Sequence, residues 1–377
     1  MIDPAAEFPL ADDIIYLNHA AVAPLPRRAR QLTVEFLDDA VTHGAAHYPE
    51  WLRVEASVRR QLGQLVGAAD PDDIAILKNT SEALSVVAHG FPWRDGDRVI
   101  ISSEEFPSNR IVWESLQRRG VGVIEVDLRS APDPEDALLA AIDARTRMLA
   151  VSAVQFASGL RLDLARLGDE CRQRDIALCV DAIQAVGALE LDVLAMQIDF
   201  LAADAHKWML GPEGVALFYC AADWRDRLLL HQFGWHMREN SGDYDSHDWQ
   251  PAANARRFEC GSMNMLGIHA LAGSLSVLLE TGMHAVEGSV LARSDYLFAQ
   301  IEARSGLDLL TDNRAGRYAG IVSFRARGAP NDQLYTRLRE AGVVCAQRGG
   351  GIRFSPHFYT ALEQLDGALE IVDTVSK

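Results

Sequence analysis

The chain of 377 residues predicts an α/β fold, a large mostly parallel sheet domain sandwiched by helices plus a smaller α+β domain. Three observations predict it. Short apolar runs rich in β-branched residues alternate with helical patterns through the first two-thirds, as strands buried on both faces require. A long polar stretch, WHMRENSGDYDSHDWQPAANARR (235–257), breaks that alternation; loops of such length are often functional or form interfaces. A second, shorter set of strand and helix patterns follows it.

In chain order the strands are IAIL (74–77), RVIIS (98–102), VGVIEV (121–126), RMLAVSAV (147–154), IALCVDA (176–182), DFLAADA (199–205) and GVALFY (214–219). Helical patterns lie between most of them. SEALSVVAHG is one; NRIVWESLQRRG is another and closes on glycine, a helix stop signal. Beyond the polar loop come helices near 267–281 and 283–305, then GIVSFRA, QLYTRLREAG, VVCA, GIRFS and a final helix. The expected division is a large ligand-binding domain over 20–262 and a small domain over 263–377, joined by the N-terminal arm 1–19. Sheets of this kind bind ligands outside the carboxyl ends of their strands.

The formal charge of −17 argues against nucleic acid or an anionic membrane as partner, since phosphate repels such a surface. Any anion must be held by a local site. Five cysteines with no C-x-x-C pair do not suggest a disulfide framework or a zinc site, and fit a reducing cytoplasm. The opening MIDPAAEFPL has no basic segment followed by an apolar one, so no secretory signal is read. No apolar run reaches the ~18 residues of a membrane helix.

Basic residues number 36, yet only Lys78, Lys207 and Lys377 are lysines. Arginine stays protonated, whereas a buried lysine can lose its proton and act as a nucleophile. Lys207 ends the run DFLAADAHK, so it is either such an amine or a lysine reaching out from a strand end. Asp181 ends the apolar strand in CVDAIQAVG, with Gln184 just after. A carboxylate there needs a cationic partner, unless it merely caps the strand. In ILKNTSEAL a strand runs into Thr80 and Ser81 at a helix start, which is an anion site or a plain cap beside Glu82. Lys78 sits before this helix start and is the weaker candidate for amine chemistry. RGGGIR (348–353) is a tight turn that aims Arg353, with Arg348 a secondary substrate contact. His231, His236 and His247 lack metal-ligand spacing, and no metal is expected. Trp224, Trp235 and Trp249 are read as packing residues of the loop or of a dimer contact.

A phosphate cradle, an acid for a ring nitrogen and an amine for an aldehyde are together what pyridoxal 5'-phosphate needs. The chain resembles the class V aminotransferases of fold-type I pyridoxal-phosphate enzymes, a group with cysteine desulfurases, kynureninases and isopenicillin-epimerase-like proteins. The resemblance rests on YLNHAA, NTSEAL, EEFPSN, SAVQFASG, VDAIQAVG, DAHKW, RRFECGSMN and GGGIRFSPHFY, in that order. It implies Lys207 as the lysine that takes the cofactor aldehyde, Asp181 as partner of the pyridine nitrogen, and Gln184 as partner of the ring hydroxyl. Thr80, Ser81 and His206 would hold the phosphate, and Phe106 would stack on the ring. Ser262 would reach a neighbouring subunit's phosphate in a homodimer with shared active sites. Arg353 would grip the α-carboxylate of a small amino-acid substrate, and Asn18 and His19 would line the substrate pocket.

The chain departs from the family pattern in places. Asp204 stands where many relatives have serine or threonine near the phosphate. Gln155 and Phe156 occupy a stretch that often reads Ser-Asn. Phe106 replaces the histidine of the desulfurases. Cys345, in VVCAQRGGGIR, lies too close to Arg353 to sit on a desulfurase nucleophile loop. Transamination is the first expectation because it needs no extra nucleophile. The alternatives are a cysteine desulfurase or C–S lyase, a kynureninase-like hydrolase, and a non-catalytic scaffold that keeps the fold. A dinucleotide-binding protein is disfavoured, as no G-x-G-x-x-G follows an early strand.

Overall fold

The computed structural model describes residues 2–328 and 330–375. Seven strands form the central sheet: β1 (Ile74–Leu77), β2 (Arg98–Ser102), β3 (Gly122–Val126), β4 (Thr146–Ser152), β5 (Ala177–Asp181), β6 (Phe200–Asp204) and β7 (Ala216–Cys220). Each overlaps one of the seven apolar runs. Their spatial order is β1-β7-β6-β5-β4-β2-β3. β2 to β6 run parallel, and β7 is antiparallel to both β6 and β1.

Successive side chains on a strand point to opposite faces, and the strands are apolar at nearly every position because both faces are covered. Ile100, Leu149, Leu178, Val180 and Leu201 enter one core. Their sequence neighbours Val99, Ile101, Met148, Ala150, Cys179 and Phe200 enter the other. Full burial of each such side chain contributes about 1.5–3 kcal/mol, and truncating fully buried Ile100 to alanine costs about 2–5 kcal/mol.

A third core packs the small sheet of β8 (Leu307–Leu309), β9 (Val322–Ala326), β10 (Ala346–Arg348) and β11 (Gly351–Phe354), antiparallel in the order β10-β11-β9-β8. Leu17 of the N-terminal arm is buried in it, and Ile15–Tyr16 pairs in parallel with Val343–Val344. The helix Met265–Thr281, however, buries Ile268, Leu271, Leu275 and Leu278 in the large core. Within the next helix, Met283–Glu302, Val286 and Val290 belong to the large core while Leu297, Phe298 and Ile301 belong to the small one. The packing therefore draws the line between cores inside that helix and not at residue 263. The apolar runs of both helices look alike in sequence, so which core takes each is a tertiary outcome. Among the described residues no single helix is long and apolar enough to cross a membrane.

Candidate active site

The carboxyl ends of β5 and β6 carry the two residues that open the site. Asp181 closes β5 and is paired in register with Ala202 of β6, two residues before Asp204. Period-2 alternation puts Asp204 on the same face. Lys207 follows in the turn after β6, which is closed by Leu210 N–H to the Lys207 carbonyl (3.0 Å) and Gly211 N–H to the Ala205 carbonyl (2.8 Å). Buried Trp208 locks that turn. Its indole N–H donates to Gln184 Oε1 at 2.8 Å, and its carbonyl meets His357 Nε2 at 3.0 Å. Gly187, at φ +93°, permits this: a Cβ there would lie 2.3 Å from the Trp208 carbonyl oxygen.

Asp181, Lys207, Phe106, Gln184, Arg353 and Thr80 line one cavity of about 300 Å³, together with Asp204 and His206. Eight of the expected site residues thus converge from five separate stretches of chain. Lys207 is 8% exposed. Burial pulls its amine down to about 8, helped by the Arg353 charge and opposed by Asp181 and Asp204. Burial raises Asp181 to about 6, with the Ile183 N–H and the Lys207 charge pulling it back. Lys207 Nζ stands 5.7 Å from the Phe106 ring centroid. Arg353 is 3% exposed and makes no ion pair with a described residue. Its Nη1 donates to the Phe156 carbonyl at 2.6 Å while its Nε has no partner.

At the anion end the helix Thr80–Gly90 is capped by Asn79, whose side chain accepts the Glu82 N–H at 2.8 Å, while Glu82 accepts the Lys78 N–H at 2.8 Å. This variant of the capping box, with Glu82 accepting from the residue before the cap, leaves the Thr80 and Ser81 hydroxyls free of capping work. Ser81 bonds Ser108, which lines the cavity, at 2.8 Å. Thr80 Oγ1 accepts the Asp204 N–H at 3.0 Å. Burial raises the Asp204 carboxyl to about 6. Its Oδ1 and the nearby His206 Nδ1 are buried without partners. The helix start thus fixes the backbone at 204 through Thr80, while burial favours the protonated form of the acid.

Ser81 is absent from the lining and reaches it only through Ser108, and three further expected residues fall elsewhere. His19 is fully buried outside the cavity, its Nδ1 2.9 Å from the Ser355 carbonyl and its Nε2 2.6 Å from the Tyr359 hydroxyl. With both ring nitrogens engaged it has no atom for a substrate, so the expectation that it lines the pocket is corrected. It fastens the N-terminal arm to the C-terminal segment. Asn18 is also absent from the lining and forms a bridge to Ser355; Ala20, Ala21 and Val22 of the same arm line the cavity instead. Ser262 is exposed and lines a different cavity, beside Asn79 and Asn264.

Sequence reasoning missed Glu105. Its buried carboxyl accepts from the Ser152 N–H (2.8 Å), the Ser152 hydroxyl, Gln155 Nε2 (3.0 Å) and Asn109 Nδ2 (2.8 Å). Burial lifts it to about 7 against the pull of those donors. It ties the loop bearing Phe106 to the strand end beside Asp181 and to the segment whose carbonyl receives Arg353. The available signal was Glu105 and Asn109 four apart across a helix start.

The donor set fits a phosphorylated pyridine aldehyde. Lysine, carboxyl and aromatic face surround one space, and the unpaired buried Arg353 Nε and His206 Nδ1 await acceptors or donors from a ligand. Cys345 is 3% exposed, and burial pushes its thiol up to about 12. No cysteine lines the cavity.

A model of the class-V aminotransferase family matches residues 15–367. A probable cysteine desulfurase of Methanothermobacter thermautotrophicus is 28% identical over 401 residues, covering 99% of this chain and 98% of that protein. An isopenicillin N epimerase of Streptomyces clavuligerus is 29% identical over 383 residues, covering 96% and 95%. Among solved structures, a C-DES variant with glycine covalently linked to its PLP cofactor superposes with a TM-score of 0.91 at 21% identity, covering 99% of this chain and all of that one.

Proposed function

Because the chain belongs to the class-V aminotransferase family, we propose that it is a pyridoxal-phosphate-dependent enzyme acting at the α-carbon of a small amino acid, with transamination as its reaction. One observation carries this reading: the only buried lysine of the described chain shares a cavity with a buried acid and a buried unpaired arginine, and no thiol is present there. The other described lysine, Lys78, has a side chain 75% exposed.

The cofactor, when bound, supplies an aldehyde for amines and a protonated ring that accepts electrons from the substrate α-carbon. The remaining work falls to this chain's residues. Lys207, depressed by burial, offers a neutral amine near neutral pH, and the same Nζ moves the α-proton. Asp181 would keep a proton on the ring nitrogen, and Phe106 would cover one ring face. Trp208 fixes the Gln184 amide so that Oε1 is taken, and Nε2 keeps one N–H for the ring hydroxyl after donating to the Ala20 carbonyl at 3.0 Å. Thr80, Ser81 and His206 would hold the phosphate, and Asp204, raised to about 6 by burial, would tolerate it best in its protonated form. With Nη1 held by the Phe156 carbonyl, Arg353 presents Nε and Nη2 to the substrate carboxylate as a fork. Ser262 lines a different cavity from Lys207, so its phosphate contact calls for a second copy, and a homodimer is part of the proposal.

The names of the relatives favour C–S bond cleavage as a second reading; buried Cys345 argues against the version that passes sulfur to a protein thiol. A spectral screen against amino acids separates the two. Loss of the visible cofactor band with a 2-oxo acid and a pyridoxamine signal supports transamination. Release of sulfide with pyruvate from cysteine, and no pyridoxamine signal with any amino acid, overturns it.

A further inference from the structure

Arg353 is not the only arginine facing the cavity. Arg348 lines it as well, and the small sheet sets their relation. β10 and β11 are antiparallel with Ala346 opposite Arg353 and Arg348 opposite Gly351. Residues directly opposite share a face, and so do residues two apart on one strand. Arg348 and Arg353 therefore project from the same sheet face as diagonal neighbours, a separation of ~7–8 Å that long side chains bridge. The turn between them is Gly349-Gly350, with φ of +61° and +83°. Positive φ at both central residues is the two-residue hairpin turn that matches strand twist, and it holds this register.

Arg353 is buried, whereas Arg348 is exposed where it lines the cavity; the two like charges repel, less so where water screens Arg348, and an anion between them relieves that repulsion. Neither guanidinium forms an ion pair with a described carboxylate. Arg348 contacts only its neighbour's carbonyl, Gln347 O, at 2.9 Å. Arg353 alone answers the α-carboxylate that every amino acid carries. Gly351, which faces Arg348, has no side chain to intervene, and a Cβ there would lie 2.2 Å from the Phe324 carbonyl.

We propose that Arg348 is a specificity-determining residue that receives a second anionic group, so that the substrate is an acidic amino acid with a carboxylate or sulfinate on a short side chain. The inference rests on the reading of the cavity as an amino-acid site and names its substrate class. Glu213 also lines the cavity, is exposed, and forms no ion pair with Arg348.

The test uses the holoenzyme and the R348Q variant, with aspartate, cysteine sulfinate and alanine as substrates and succinate against propionate as amine-free probes in calorimetric titration. The expected result is a preference for the acidic substrates over alanine and tighter binding of succinate than of propionate. In R348Q the aspartate-to-alanine ratio of kcat/KM falls by about 30-fold, and succinate binding weakens by a similar factor, the worth of a charge-assisted hydrogen bond. A wild type that prefers alanine, or equal losses for both substrate classes, overturns the proposal. So does loss of the visible cofactor band in R348Q, which would put this guanidinium on the cofactor. If the wild type itself takes up no cofactor, the underlying reading fails instead, and the dicarboxylate titration still reports on Arg348.

Discussion

Asp181 and Lys207 lie in one cavity, each holding the other's charge. Asp181 draws the amine upward against burial, and Lys207 draws the carboxyl downward against its own burial. They arrive from neighbouring parallel strands, the first at the end of β5 and the second just beyond β6. No ion pair joins them among the described residues, so the acid and the amine are both left open to a ligand that is cationic at the acid and electrophilic at the amine.

The first prediction concerns that amine. K207A should abolish the visible band of bound cofactor while the fold, followed by circular dichroism, survives. In the wild type the rate of cofactor attachment should rise with pH through about 8, because the neutral amine is the reactive form and the folded value is depressed to that level. A persistent band in K207A would show that another amine carries the cofactor.

Asp204 supplies a second. Its carboxyl lines the cavity beside the residues expected to hold a phosphate dianion, and burial raises it to about 6, so above that pH it carries a like charge. D204S removes the like charge and should tighten cofactor binding by roughly tenfold at pH 8, the equivalent of one pKa unit. The gain should shrink toward pH 5, where Asp204 is protonated anyway. Fluorescence titration of the apoprotein measures it; weaker binding in D204S at both pH values would mean that the acid is a needed contact.

His19 leads to a stability prediction. Its two ring nitrogens join Ser355 and Tyr359, and H19A leaves a void and unpaired polar groups worth about 2–4 kcal/mol. Burial lowers its value from 6.5 to about 4. The unfolded chain thus binds the proton first. The contribution of His19 is full above 6.5 and is lost as pH falls toward 4. Urea denaturation should show the gap between wild type and H19A narrowing over that window.

Cys345 should be inert to thiol reagents in the native protein, since burial raises its thiol to about 12 and only the thiolate reacts. C345A should retain activity within about twofold, as expected of a substitution away from the reacting groups. Rapid labelling of this thiol in the folded state would contradict its place in the small core.

The capping box at Asn79 shows how far local pattern carries. NTSEAL announced a helix start, and the structure has one, yet Asn79 and Glu82 do the capping while Thr80 turns to Asp204. The seven strands were legible because alternation between two buried faces is a local property. The two core helices were legible as helices, but not their division between cores.

The amino-acid sequence alone determined the apolar strands, the polar residues at their carboxyl ends and the isolation of Lys207 among arginines. Only the tertiary structure decided that Arg353 shares a cavity with Lys207, and that His19 is a fastener bound to a tyrosine 340 residues away. The physical reason is range. Strand and cap signals are written in neighbouring residues, whereas a cavity exists only where distant strands close on one another, and nothing within a short stretch encodes which distant side chain will stand opposite.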